Sequence, residues 1–451
     1  MTDEPPQRAL APHADLDNPV YVGWKRFLDA SAGWSAQEVE AYQLSELRRV
    51  VADAFAHAPA WRTLYESHGV TPSTLQTLDD VRRLPTVDKR LVREQLEAFS
   101  IAMDGRSRTA TSGGTGVPFE LYLDPQAFAK ELASKAHQYE RVGWREGDPQ
   151  LVLRGLPIDS PTHMTFVEPF NELRCSSYHL SPEVMEQYRQ AAFEYGPLWL
   201  RCYPTVGDLF ARFLEDTGRP FPPLKGILCA SENLYDAQRA RLGRVFGARV
   251  FSHYGHYELS ALAGFCEYRD TYHVLPQYGY AELLTADGRL VTEPGGFGEI
   301  VATSFINRGT PLIRYRTGDF AVLEGWGCRA CGRPYQVWSR LQGRAHEFLV
   351  TSQGTLVPLT AMNEHDDTFD EVREFQIEQH EPGIVTFRYV PRRGATAGDV
   401  ERHILAGLAS KLGETLAVRF ERVSSIARGG RGKHPFMIQH LRISAHRHLT
   451  T

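Results

Sequence analysis

The sequence predicts an α/β protein: a large N-terminal region of several subdomains with a parallel sheet, a β subdomain, and a small α+β unit at the C-terminus. Three observations predict it. Up to about residue 255, helical stretches alternate with the short apolar runs "QLVLRG", "LWLRCYP", "LKGILCA" and "ARVFSHYG", which is the rhythm of βαβ units. After about residue 278, "YGYAELL", "GEIVATSF" and "PLIRYRTGDFAVL" follow one another as strands joined by Gly-rich turns. Beyond "LQGRAHEFLV" come strands near 373–379 and 384–390, a helix near 398–412 and the strand "AVRFERV". The expected division is a disordered or loosely ordered lead-in over 1–35, a large domain over 36–345 and a small domain over 346–451.

Each element has a local reason. The opening "MTDEPPQRALAPHADLDNP" is polar and proline-rich, with no apolar core for a signal peptide or lipid anchor. "SAQEVEAYQLSELRRVVADAFAHA" carries apolar residues at three-and-four spacing and reads as a helix. "TPSTLQTLDDVRRLPTVDKRLVREQL" continues with capping residues and short helices. Then "TATSGGTGVPFELYLD", residues 109–124, sets three glycines and the hydroxyls of Thr109, Thr111, Ser112 and Thr115 just before an alternating strand. Exposed backbone N–H groups and hydroxyls suit a polyphosphate, and a tight hairpin turn is the other reading of the same glycines. The loop is neither GxxxxGK[ST] nor a strand-loop-helix GxGxxG. "PQAFAKELASKAHQYERVGW" follows as a helix beginning at a proline.

Composition narrows the function classes. The 451 residues are 42% hydrophobic and 23% charged, with a net charge of −5, so no basic footprint for nucleic acid is present. No uninterrupted apolar run reaches the length of a membrane span, and a reduced, cytoplasmic setting is the expectation. Cys175, Cys202 and Cys229 stand singly in apolar or mixed surroundings as small core residues. Cys328 and Cys331, in "CRACGR", offer two thiolates on one turn, the usual half of a zinc site. Cys266 and His273, in "CEYRDTYH", are the candidate second half; a redox pair or unmetallated thiols are the alternatives.

The order "TSGGTGVP", "HYGHYE", "RYRTGD", "GRAHEF" and "GRGK" resembles the adenylate-forming (acyl-CoA synthetase/ligase) superfamily, in its phenylacetate–CoA ligase-like branch. "YGHYELSALAGFCE", "YHVLPQYGYAELL" and "VTSQGTLVPLTAMNEH" are similar to a subgroup labelled capsular polysaccharide biosynthesis proteins. The resemblance runs from about residue 40 to 443. It implies an enzyme that joins a carboxylic acid to AMP, releases pyrophosphate, and passes the acyl group to coenzyme A, with a mobile C-terminal domain. An aryl or arylacetic acid is the implied substrate. An amine, a hydroxyl or a carrier-protein thiol is the alternative acceptor.

Matched motif by motif, the resemblance implies that Ser112, Gly113, Gly114, Thr115 and Gly116 cradle the β- and γ-phosphates of ATP. Tyr254 and Gly255 would flank the adenine and the acyl group, and Asp319 would accept from the ribose hydroxyls. Arg344 would lie near the ribose or phosphate. Glu258 would ligate Mg²⁺, a hard oxygen for a hard cation. Lys433 would stabilise the in-line transition state, making Lys433, Glu258 and Thr115 the implied catalytic residues. Read singly, Asp319 ends a strand in a turn, Glu258 is a helix-start charge and Lys433 sits in a basic turn. Related sequences carry a similar Cys…His…CxxC set, which implies structural Zn²⁺ on Cys266, His273, Cys328 and Cys331. Three positions depart from the pattern: Val117 replaces a frequent Lys, Tyr257 a Ser or Thr, and His346 the hinge Asp or Lys. Arg392 and Arg393 are candidates for the 3′-phosphate of coenzyme A, and a homodimer is compatible with the resemblance.

Overall fold

The computed structural model describes residues 16–110, 119–155, 158, 160–178, 180–344, 348–354, 356–358, 369, 371–392, 394–412, 415–427 and 436–441. Strands Gln150–Arg154, Trp199–Cys202, Gly226–Ala230 and Val250–Gly255, the four apolar runs, pair in parallel, and Glu172–Ser176, which no run signalled, joins them beside Gln150–Arg154. Met164–Val167 adds an antiparallel edge. Alternation divides the sheet's two faces. Leu151, Leu153, Leu200, Cys202, Ile227 and Cys229 pack under the helices Pro182–Tyr195, Pro204–Thr217 and Asp236–Phe246. All three helices end at a left-handed glycine, Gly196, Gly218 and Gly247, a backbone state that costs other residues a Cβ clash. On the other face, Trp199, Leu228 and Phe251 meet Ala133, Ala136 and Tyr139 of the helix Ala127–Arg141. The Asp124 carboxylate accepts from the Gln126 and Ala127 amides at the start of that helix.

The β region is no separate sheet. Strands Leu262–Phe265, Tyr272–Val274, Gln336–Arg344, Tyr315–Trp326, Phe297–Ser304 and Gly279–Leu284 extend the parallel half in that order, antiparallel throughout. The change of direction falls at residue 262 rather than 278, because Leu262–Phe265 turns straight back along Val250–Gly255. Val250–Gly255 and Tyr315–Trp326 stand four places apart in this order, which in a flat sheet is roughly 19 Å. Yet the Tyr254 hydroxyl lies 2.8 Å from Asp319 Oδ2. The antiparallel half therefore curls round, enclosing Ala263, Val274, Leu283, Ala302, Leu323 and Trp338 in one core.

The lead-in expected over 1–35 is partly structured. Residues Pro19–Ser31 form a helix, capped by Asn18 and started by Pro19, and it packs along Ala127–Arg141. Trp24 Nε1 donates to Ser134 Oγ at 2.9 Å, and Lys25 pairs with Glu140 and Glu146. Next comes the helix Ala36–His57, fixed by a reciprocal capping box between Ser35 and Glu38. The short strand Val87–Asp88 joins Tyr315 and Arg316 in parallel. There Arg314, only 6% exposed, binds both oxygens of Glu282 at 2.8 and 2.9 Å and the Leu84 carbonyl at 2.6 Å.

Toward the C-terminus a four-stranded sheet runs in the order Ala417–Arg422, Ile384–Pro391, Val372–Glu381, Met437–Gln439. Val400, Ile404 and Leu408 of the helix Ala397–Leu412 pack on Phe387 and Tyr389. This sheet touches the helix Pro204–Thr217: Arg212 Nη1 donates to the Val372 carbonyl at 2.8 Å, and Arg392 stands 3.8 Å from Glu215.

Candidate active site

In open parallel sheets a ligand crevice forms beyond the carboxyl ends of the strands. Those ends here carry Arg154, Tyr203, Glu232 and His253, with Tyr254 and Gly255 closing the last parallel strand. Tyr139, from the covering helix, shares a 2.9 Å hydrogen bond with His253 Nδ1. Burial, then the positive charges of Lys135, Arg201 and Arg154, hold the His253 imidazole well below its ordinary range, so it is neutral. The Arg154 guanidinium lies 5.6 Å over the Tyr203 ring, a cation–π distance.

Tyr254 and Asp319 meet, while Glu258 lies four residues beyond Tyr254 among other partners. Tyr254 donates to Asp319 Oδ2, and the Asp319 amide donates to Thr317 Oγ1 at 3.0 Å. Gly318, at φ +74, makes the turn that presents Asp319. A Cβ on Gly255 would stand 3.0 Å from Leu262 Cδ1, so a larger residue there would have to push the Leu262 side chain aside. Glu258 is buried at 6% exposure. Its Oε1 lies 3.0 Å from Lys89 Nζ and accepts from the Tyr315 hydroxyl at 3.4 Å, and its Oε2 lies 3.2 Å from His256 Nδ1. Burial opposes the charge, but His256 and Lys89 outweigh it and hold the carboxyl well below the usual range. Tyr257, in contrast, is 38% exposed.

Lys89 is a residue that the motif reading missed. It lies at the start of the short helix Lys89–Glu94, far from Glu258 in the chain, and "TVDKR" holds no signal for that contact. Arg344 pairs in register with Asp319 across adjacent strands. The proposed phosphate loop Ser112–Gly116, Val117, the hinge position His346, Arg393 and Lys433 lie outside the described residues. The strands flanking that loop, Ser107–Ala110 and Glu120–Leu123, form an antiparallel pair with Ala110 opposite Glu120.

The second constellation also assembles. Cys266, His273, Cys328 and Cys331 place their ligand atoms within 4.8 Å of one another. Cys266 Sγ lies 3.9 Å from Cys328 Sγ, and Cys331 Sγ lies 3.8 Å from His273 Nδ1. A disulfide needs about 2.05 Å, whereas a tetrahedral ion with 2.3 Å bonds to sulfur separates its ligands by about 3.8 Å. Burial and the Arg141 guanidinium push His273 down to about 4, leaving a neutral imidazole suited to ligation. Glu267, bridging Arg141 and Arg333, stands beside the cluster. The residues present fit a tetrahedral ion.

This fold is the adenylate-forming ligase fold. It matches a 2-hydroxyisobutyryl-CoA ligase crystallised in the postadenylation state with a TM-score of 0.73, at 19% identity and 91% coverage of each chain. Among sequences, the chain is 22% identical to protein CapK of Staphylococcus aureus over 377 residues, 81% of this chain and 82% of that one. It is 23% identical to the phenylacetate-coenzyme A ligase of Thermus thermophilus over 331 residues, 70% and 72% of the two chains. No family model matches. The chain is thus a homologue of the phenylacetate–coenzyme A ligases and CapK.

Proposed function

We propose that this protein is an ATP-dependent, AMP-forming carboxylate ligase that converts an acid to its acyl-adenylate and then to a coenzyme A thioester. The observation that carries the reading is the contact of Tyr254 with Asp319, at the crevice where a parallel sheet binds ligands; a buried, ionised Glu258 follows four residues after Tyr254. Carboxylate oxygen is a poor leaving group, so the acid is first made a mixed anhydride. That step brings two anions together, and it needs fixed positive charge and hydrogen-bond donors rather than a protein nucleophile.

The roles are those the resemblance implies, and for Asp319, Arg344 and Glu258 the contacts above support them. Asp319, held by Tyr254 and the turn at Gly318, accepts from the ribose hydroxyls, with Arg344 on the adjacent strand. Gly255 lets the chain pass close to the nucleotide. Ser112, Gly113, Gly114, Thr115 and Gly116 hold the outgoing phosphates, and Lys433 supplies charge in the transition state. Glu258 is suited to Mg²⁺: it is an ionised oxygen donor whose Oε1 already faces the cationic Lys89. When bound, the ion would screen the phosphate charge. The acid lies against Tyr139, Tyr203 and His253, an aromatic wall compatible with the aryl acids of the phenylacetate ligases. The Cys266–His273–Cys328–Cys331 cluster holds structural Zn²⁺, with four protein ligands and no open position for chemistry.

The test is pyrophosphate release from ATP and Mg²⁺ with pooled carboxylic acids, with and without coenzyme A. Acid-dependent release that coenzyme A accelerates supports the ligase. Release indifferent to coenzyme A replaces the thioester with an amine, hydroxyl or carrier acceptor, and ATP binding without release for any pool counts against adenylation. Lys433→Ala should cut release sharply and leave ATP binding nearly intact; equal activity would remove Lys433 from its role.

A further inference from the structure

A second side-chain cluster lies on the C-terminal sheet, apart from the crevice and from the cysteine cluster. Strands Val372–Glu381 and Met437–Gln439 pair in parallel with Glu378 opposite Ile438 and Gln379 opposite Gln439. The same register, carried one residue on, sets His380 beside His440, and the His440 amide donates to the Gln379 carbonyl at 3.0 Å. Side chains alternate along a strand, so Glu378, His380 and His440 share the outer face while Gln379 points inward. The two imidazoles stack with centroids 3.9 Å apart and planes within 9°. His380 Nε2 lies 3.1 Å and His440 Nε2 2.8 Å from the same oxygen, Glu378 Oε1.

The support around this trio is fixed. Gln379 is fully buried, bonds the Val350 amide and carbonyl at 2.8 Å each, and accepts from Gln439 Nε2 at 2.8 Å. The register that sets the histidines side by side is therefore locked from beneath. Arg388 holds the other carboxylate oxygen, Oε2, at 2.6 Å, which leaves Oε1 turned toward the two rings.

We propose that Glu378, His380 and His440 form a binding site for a first-row divalent transition metal ion, with the two Nε2 atoms and Glu378 Oε1 as ligands. All three ligand atoms lie within 4.8 Å of one another. An ion with bonds of about 2.0 Å needs ligands about 3.3 Å apart, close to the two nitrogen–oxygen distances. Imidazole nitrogen suits zinc, copper or nickel rather than magnesium. On binding, the two rings turn out of their stack so that both in-plane Nε2 lone pairs meet the ion, and each ring carries its proton on Nδ1, so no net proton need leave. Arg388 acts as the positioning group that keeps one carboxylate oxygen free. The ion would clasp Val372–Glu381 to the last described strand, which starts four residues beyond Lys433.

The test is nickel titration of the full-length, tag-free chain by calorimetry, with melting curves at each nickel level. Nickel is chosen because its preference for nitrogen and oxygen ligands separates this site from the thiolates. The wild type should bind one saturable ion at the trio and melt higher with it. His380→Ala and His440→Ala should each weaken binding by at least about tenfold and lose the thermal shift, while melting like the wild type without nickel. Glu378→Gln, which keeps the shape and removes the charge, should weaken it as well. No saturable binding would overturn the proposal. Binding equally tight in both histidine variants would also overturn it, placing the ion elsewhere in the chain.

Discussion

Replacing Glu258 by Gln separates a catalytic charge from a structural ion pair. The amide keeps the size of the side chain and removes its charge. The folding cost is small, because Lys89 is 40% exposed in its side chain and recovers water when released. The neutral amide also removes the desolvation cost of the buried carboxylate, which offsets the lost attraction, so the melting temperature should fall by no more than about 4 °C. The chemistry should suffer far more. Removing one preorganised electrostatic group at a site of developing charge costs about 2.7–4 kcal/mol, a hundredfold to thousandfold in rate. The assay is pyrophosphate release at saturating ATP across a magnesium series, beside thermal melts of the same samples. Lys89→Ala serves as the control, since it breaks the same ion pair while leaving the carboxylate. A Glu258→Gln enzyme that slows by less than about tenfold, about 1.4 kcal/mol, with unchanged magnesium dependence would refute the metal role. Equal effects of the two substitutions on stability and rate would reduce Glu258 to a structural partner of Lys89.

Three other outcomes follow from the geometry. Tyr254→Phe removes the donor to Asp319, and a hydrogen bond to a charged group is worth about 1.5–3 kcal/mol; KM for ATP should rise at least about tenfold with kcat less affected, and an unchanged KM would detach Asp319 from the nucleotide. The purified protein should hold one zinc per chain by elemental analysis, and Cys328→Ser should lose it and melt lower; a metal-free wild type of equal stability would leave the thiols as plain core residues. Arg314→Met strands the buried Glu282 charge and should destabilise by about 3–5 kcal/mol in urea unfolding. Adding Glu282→Leu should recover much of that loss, and no recovery would refute the account of a stranded charge.

The βαβ strands were legible because alternation and length act locally, and each of the four apolar runs became a strand. The motif residues Tyr254, Glu258 and Asp319 were singled out by resemblance, and the contact between Tyr254 and Asp319 was not legible. Tyr254 and Asp319 are 65 residues apart and meet only through the curl of the sheet, which no local pattern encodes. Lys89 escaped for the same reason. The CxxC was visible locally, while its union with Cys266 across 62 residues, and with His273, was expected through the resemblance, since no local spacing encodes it. The helix Pro19–Ser31 carries Tyr21, Trp24 and Leu28 at three-and-four spacing, a signal hidden behind a polar, proline-rich prefix. Strand Met437–Gln439 is three residues long, too short to show any period.

The Tyr254–Asp319 contact exists only while the antiparallel strands close round, so on the proposed role of Asp319 nucleotide affinity becomes a gauge of sheet curvature. Trp338, fully buried, fills the hollow and stands edge-on to Tyr254 with ring centroids 5.7 Å apart. A smaller side chain there would let the wall relax and draw the hydroxyl away from the carboxylate, which on the proposed role of Asp319 would raise KM for ATP. Drift at that interior site is thus visible to selection through the ligand as well as through stability.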